Sequence, residues 1–258
     1  MLGKLIKYEL KAFGRVMLPL YGALLVASLV FAGTIRISMN STARSLMEKF
    51  AILGGFLFAA AIIAVMVMMV IMVVQRYYRN LLGTEGYLMF TLPVTTLSHI
   101  LSKAISAFLW VLLGGVTGLV SGGILVYVIG DLEGFMTQFR DAMRMIRADD
   151  QLVLNIVLIL IVIVAGIMAT IFKVYAAISI GHQWSDHRLF GAVLAYIGIG
   201  ILELAVTSLP WIRQVRDARM KSVTFQNGIW IAVGISLIQI LIYGTVAWRL
   251  LDRRLNLE

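Results

Sequence analysis

The sequence of 258 residues contains no cysteine, only three prolines and few charged residues. The absence of cysteine excludes disulfides and thiolate metal sites. With so few prolines, long uninterrupted helices are feasible. Only 14% of the residues are charged and 61% are hydrophobic, whereas soluble domains are about a quarter charged and about half apolar. The composition therefore predicts an integral membrane protein.

The net charge of +9 would suit a nucleic-acid-binding protein at first sight. In a chain this apolar, lysine and arginine more commonly anchor helix ends at anionic lipid headgroups. We therefore expect the lipid membrane to be a partner and nucleic acid not to be one.

Six apolar runs are long enough to cross a bilayer, which requires roughly 20 residues each. The runs are continuous, whereas a β-barrel would need short alternating segments. We predict an all-α membrane protein with a single transmembrane domain over 1–258. The predicted spans are about 16–35, 51–74, 104–129, 152–172, 189–209 and 228–248.

The leader MLGKLIKYELKAFGR places four cations on one helical face, at Lys4, Lys7, Lys11 and Arg15. Leucine, isoleucine and phenylalanine side chains lie mostly on another face. This pattern predicts an amphipathic helix over 1–15 that lies in the membrane interface before the chain turns inward. An ordinary basic flank of the first span is the alternative.

The basic leader and the arginine-rich C-terminus favour a topology with both termini in the cytoplasm. Two of the outward-facing segments then have structure of their own. In 131–150, aromatic and aliphatic residues repeat at helical spacing among arginines, which predicts an amphipathic surface helix. The segment 210–227 opens with a proline and carries four cations.

No motif for catalysis is present. The sequence has no HExxH zinc motif and no glycine-rich phosphate-binding loop ending in Gly-Lys-Ser/Thr. His99, His182 and His187 all fall between predicted spans, so no histidine can assist a serine nucleophile inside the bilayer. We expect no catalytic residue, no metal and no cofactor in this chain, and we expect it not to be an enzyme.

Two features inside the spans are candidates for function or packing. Glu203 is an acid within an apolar run, and an intramembrane carboxylate is a functional candidate by default; a structural hydrogen bond between helices is the alternative. Gly114, Gly118 and Gly122 follow at intervals of four in the third span. Such a stripe lets another helix approach closely, from this chain or from a second copy.

The connection between the second and third spans includes RNLLGTEGYLMFTLPVT. Glycines on both sides of Thr84 and Glu85 allow sharp turns, and a proline ends the short element before the next helix begins. The result would be a rigid stub over 79–99 that presents an acid and aromatic side chains to a partner.

Together, KLIKYELK at the N-terminus, RYYRNLLGTEGYLMFTLPVT after the second span and the six spans resemble the permease subunits of bacterial type-2 ABC transporters. The resemblance is greatest to small Firmicutes permeases of peptide and multidrug export systems. It implies that 1–15 is a connecting helix and that 79–99 is a cytoplasmic coupling segment seated on a separate ATPase. It also implies the coupling contacts, which would be Thr84, Glu85, Gly86, Tyr87, Leu88 and Phe90.

The resemblance implies a type-2 ABC exporter fold in the bacterial cytoplasmic membrane. The partners would be a cytoplasmic ATPase, which binds ATP and magnesium, and a second copy or a homologous permease. The substrate would be amphiphilic or peptide-like. Two alternatives remain open. One is a membrane scaffold or sensor component that docks a regulator, and the other is a proton-coupled carrier that uses Glu203.

Overall fold

A computed structural model describes residues 2–40, 44–82, 94–130, 132–184, 187–209 and 225–253. Over these residues the structure is helical and contains no strand. The helices are α1 (Leu2–Asn40), α2 (Arg44–Tyr77), α3 (Thr96–Ile129), α4 (Leu132–Ala148), α5 (Asp150–Gly181), α6 (Arg188–Ser208) and α7 (Phe225–Arg253). A π-helical turn, Tyr78–Leu82, extends α2.

Six of these helices, all except α4, are long and apolar enough to cross a membrane. In a bilayer every backbone N–H and C=O must be satisfied within the segment, so continuous apolar runs form helices. Length and composition thus define a multi-pass helical membrane protein, as the sequence predicted. Several helices are longer than the predicted spans: α5 has 32 residues, about 48 Å, against a hydrocarbon core of about 30 Å.

The leader differs from the sequence-based expectation. The predicted interfacial helix over 1–15 and the first predicted span are one uninterrupted helix, α1, which has 39 residues and contains Pro19. The chain makes no separate turn between leader and span. One buried stripe explains this continuity, because it recurs every three or four residues along α1 from the leader into the span. Its members are Glu9, Phe13, Met17, Tyr21, Leu24, Ser28 and Ala32. The cations Lys4, Lys7, Lys11 and Arg15 are exposed.

The chain divides into two compact units. Unit 1 contains Val73–Ile105 and Asp150–Glu258, and unit 2 contains Gly3–Met72 and Ser106–Asp149. In unit 1, α5 packs against both α6 and α7. The hairpin of α5 and α6 is tight, because a Cβ added to Gly181 would lie 2.1 Å from the backbone nitrogen of Ala192.

In unit 2, α1 lies beside both α2 and α3. The Tyr21 hydroxyl donates a hydrogen bond of 2.7 Å to the Trp110 carbonyl, and the rings of Phe31 and Phe58 stack at 5.7 Å. Arg36, near the end of α1, reaches the Val128 carbonyl at 3.3 Å, so α1 and α3 run in the same direction.

Candidate functional site

The connection after α2 begins at a densely packed point of unit 1. Tyr77 is fully buried, and its ring stacks on that of Tyr175 in α5 with centroids 4.1 Å apart and planes 12° apart. Its hydroxyl lies 2.7 Å from the Ser179 hydroxyl. Leu81 and Leu82, in the π-helical turn, are also buried. The chain therefore leaves α2 from a fixed position.

The chain re-enters unit 1 at the start of α3, which becomes buried one turn after it begins. After Thr96 begins α3, the side chains of His99, Ser102 and Lys103 are 1%, 2% and 1% exposed. The Thr96 hydroxyl lies 3.3 Å from an Asp252 carboxylate oxygen near the end of α7. The predicted contacts Thr84, Glu85, Gly86, Tyr87, Leu88 and Phe90 lie outside the described residues, and so does most of 210–227.

These contacts also group several helix ends. Tyr77 and Ser179 join the end of α2 to the end of α5, and Thr96 and Asp252 join the start of α3 to the end of α7. Gln226 at the start of α7 donates hydrogen bonds to side chains at the start of α5, so α5 and α7 run in the same direction and all four helix ends lie at one end of unit 1. The 83–93 connection therefore begins and ends on the same side as the last helix finishes. We name this set of buried residues, Tyr77, Leu81, Leu82, His99, Ser102, Lys103, Tyr175 and Ser179, the loop mount.

Deeper in unit 1, Glu203 of α6 is the centre of a polar cluster. Its Oε2 accepts a hydrogen bond from the Lys173 ammonium at 2.5 Å. Its Oε1 accepts one from the Gln239 amide at 3.0 Å and another from the Tyr243 hydroxyl. The Lys173 ammonium also lies 5.0 Å from the centroid of the Tyr196 ring, which is within the range of cation–π attraction.

Helix direction explains why Lys173 reaches Glu203. Side chains tilt toward the N-terminus of their helix, and α5 and α6 are consecutive helices in a hairpin. Lys173 therefore extends back from the nearby end of α5 toward the middle of the helix, and Glu203 extends to meet it. The sequence alone did not identify Lys173 as the partner of Glu203; the structure does.

A cavity of about 260 Å³ adjoins the cluster. Thr170, Tyr196 and the four cluster residues line it together with Gly166 and Ala169. It has room for several waters, since each occupies about 30 Å³ in the liquid. The Lys173 and Glu203 side chains are 15% and 30% exposed, so the ion pair is enclosed but reaches this space. The cluster can hold two opposite charges inside a span and bring a carboxylate into contact with a polar cavity.

Gln239 and Tyr243 were missed at the sequence level, although a signal was present. They lie four residues apart in the last apolar run and therefore share a helical face. Lys173 in one run and Gln239 and Tyr243 in another could have been matched to Glu203, but the sequence does not say which helices are neighbours.

The glycine stripe of α3 has two different surroundings in unit 2. A Cβ added to Gly114 would lie 2.9 Å from the Tyr21 hydroxyl, whereas one added to Gly118 or Gly122 would meet nothing within 4 Å. Of the three stripe glycines, Gly114 alone is closely approached by a described residue of this chain. Gly118 and Gly122 instead line an apolar cavity of about 780 Å³ between α1, α2 and α3.

His182 lies beside the π-helical turn that extends α2. His182 packs edge-on against Tyr78, with ring centroids 6.1 Å apart. Burial, and secondly the positive charge of Arg188, lowers the pKa of His182 below its ordinary value of 6.5. In the part of the chain that the structure describes, no three His, Asp or Glu side chains gather as metal ligands.

Comparison with known proteins identifies no relative: neither family models, nor curated proteins, nor solved structures give a match. The resemblance to type-2 ABC permeases therefore rests on the sequence motifs and not on a detected homologue. The class that the fold supports is that of a multi-pass helical membrane protein.

Proposed function

We propose that this chain is the permease subunit of an ATP-driven ABC exporter of type 2 in a bacterial cytoplasmic membrane. A separate ATPase docks on the 79–95 loop, and the exported substrate is amphiphilic or peptide-like. The sequence resemblance and the six apolar helices support this proposal. The chain itself carries no phosphate-binding loop motif, so the ATPase and its magnesium belong to the partner.

The observation that carries the proposal is the loop mount. A segment that transmits motion from a soluble partner must be attached rigidly, since a flexible attachment would absorb the displacement. On the α2 side the flank is buried, and Tyr77 stacks on Tyr175 of α5. On the α3 side the Thr96 hydroxyl makes an exposed hydrogen bond to Asp252 of α7, and burial begins one turn later at His99. A push on the loop would therefore move helices that carry the Lys173–Glu203 pair.

The orientation fits the same proposal. The loop mount lies at the end of unit 1 where α7 finishes. With both termini in the cytoplasm, the loop faces the compartment that contains ATP. A second copy, or a homologous permease, would complete the transport path.

Gentle purification of the tagged chain from its native membranes tests this function. We expect a soluble protein with a phosphate-binding loop to co-purify, and we expect the double substitution Glu85→Ala with Tyr87→Ala to release it. A matched control is available in Glu48→Ala with Phe50→Ala, an exposed acid and aromatic at the same spacing. These lie at the other end of α2, about 50 Å away along the helix, and should leave the complex intact.

Three results would contradict the proposal. They are purification of the chain without any nucleotide-binding partner, retention of the ATPase by the loop variant, and equal loss in both variants. A partner without a nucleotide site would instead favour the scaffold or sensor alternative. The isolated chain is expected to hydrolyse no ATP.

A second candidate function, a proton-coupled carrier, is favoured by the polar cavity beside Glu203. A carrier of this kind needs a carboxylate that exchanges protons with water. In vesicles with a pH gradient and no ATP, Glu203→Gln should then abolish uptake while leaving ATPase binding normal. Transport that requires ATP and does not depend on the pH gradient would exclude the carrier function.

A further inference from the structure

Helix α4 has an apolar face that the described residues leave largely exposed. Its 17 residues place seven apolar side chains on about one third of the helix circumference. Those that the structure describes as large and exposed include Phe135 at 41%, Met136 at 47%, Phe139 at 50% and Met143 at 37%. The rings of Phe135 and Phe139 stack on each other at 6.3 Å, so they form one continuous surface.

The chain holds this helix at a membrane boundary. Only Gly130 and Asp131 separate α4 from α3, and only Asp149 separates it from α5. Both neighbours are membrane-spanning by length and composition. Tethered so closely at both ends, α4 begins and ends within a few ångströms of the last turn of α3 and the first turn of α5.

Charge is distributed unevenly around α4. At about 100° per residue, Arg140 and Arg147 border one edge of the apolar face. Arg144 lies farther round and faces Asp141 at 3.6 Å, with both side chains well exposed. Glu133 lies on the same polar side. Two cations at the border of an apolar face match the depth at which lipid phosphates lie, because arginine stems can extend along the apolar surface to the headgroups.

We propose that α4 is a lipid-binding helix whose apolar face enters the bilayer surface and whose Arg140 and Arg147 bind the phosphates of anionic lipids. The surface belongs to unit 2, whereas the loop mount belongs to unit 1. The proposal therefore does not depend on ATPase docking. The partner is a bilayer rich in anionic headgroups, not a second copy of this chain.

The absence of cysteine makes a direct test possible in the full-length protein. Single substitutions Phe139→Cys and Thr137→Cys introduce a nitroxide spin label on nearly opposite faces, since two residues are about 200° apart on a helix. Each labelled protein is reconstituted into phosphatidylcholine vesicles, with or without phosphatidylglycerol. Accessibility to oxygen, which partitions into lipid, is compared with accessibility to a water-soluble nickel chelate.

The label at 139 should favour oxygen over nickel, and the label at 137 should show the reverse. Phosphatidylglycerol should increase the immersed fraction of the 139 label. Adding Arg140→Gln and Arg147→Gln should remove that increase. Each lost cation should lower the ratio of immersed to exposed label roughly fivefold. The matched control is Arg144→Gln, because Arg144 faces Asp141 rather than the border of the apolar face. This substitution should change the ratio of immersed to exposed label less.

Two results would overturn the proposal. One is nickel accessibility at 139 equal to that at 137, which places the apolar face in water. The other is protection of 139 from both reagents with spin–spin broadening, which shows that a second copy covers it. An immersed face with no response to phosphatidylglycerol would refute the anionic-lipid part of the proposal. The co-purification of an ATPase has no bearing on these outcomes.

Discussion

Removing the ammonium of Lys173 should show how much the Lys173–Glu203 ion pair contributes to the free energy of unfolding. In Lys173→Met, Glu203 keeps its hydrogen bonds to Gln239 and Tyr243 but loses its counter-charge. Deleting one partner of a buried ion pair typically costs about 3–5 kcal/mol. Because the Glu203 side chain is 30% exposed, toward a polar cavity, we expect the lower end, about 3 kcal/mol. This corresponds to a change on the order of a hundredfold in the ratio of folded to unfolded protein.

A double-mutant cycle isolates the pair. Glu203→Gln in the Lys173→Met background removes the stranded charge, so the double variant should be more stable than Lys173→Met alone. We expect a coupling energy of about 2 kcal/mol, within the range for residues in direct contact. The assay is reversible unfolding in mixed micelles of increasing dodecyl sulfate content, followed by circular dichroism.

The control is Lys49→Met, which removes an exposed lysine and should change the free energy of unfolding by less than about 0.5 kcal/mol. If Lys173→Met costs no more than this control, or if the coupling energy is below about 0.5 kcal/mol, the ion pair does not stabilise the helix packing. The reasoning from its geometry would then be wrong.

The remaining predictions concern glycines and a histidine. Gly114→Ala should cost about 1 kcal/mol in the same unfolding assay, because the new methyl displaces a hydrogen-bonded tyrosine hydroxyl. Gly118→Ala should be neutral or slightly stabilising. Equal losses of stability in the two variants would show that something covers Gly118. Gly181→Ala should cost more than about 2 kcal/mol, since its methyl would overlap the backbone of α6, and Gly200→Ala, whose methyl has room, should be tolerated. Because the folded pKa of His182 is below 6.5, the unfolded state binds more protons just below that pH. Stability should therefore fall as the pH drops below about 6.5, until the folded pKa is passed. His182→Gln should reduce this dependence, and an unchanged pH profile would contradict the assignment.

The membrane class and the number of spanning helices were determined by the sequence alone. Bilayer thickness and the need to satisfy every backbone hydrogen bond convert a continuous apolar run into a helix without reference to any other part of the chain. The same local reasoning predicted α4, because its amphipathic period lies within one continuous segment of the sequence. The predicted boundary between the leader and the first span was wrong. Continuation of α1 depends on burial of the stripe from Phe13 to Ala32, which a local pattern does not reveal.

The tertiary structure decided which polar residues meet. The cluster around Glu203 draws its members from three helices. Its first and last members, Lys173 and Tyr243, lie 70 positions apart in the chain. It also decided that Gly114 contacts Tyr21 while Gly118, one turn further along α3, faces a cavity. Local propensity depends on neighbours in sequence, whereas the pairing of an intramembrane charge depends on which helix faces it. That choice is made only when the helices pack.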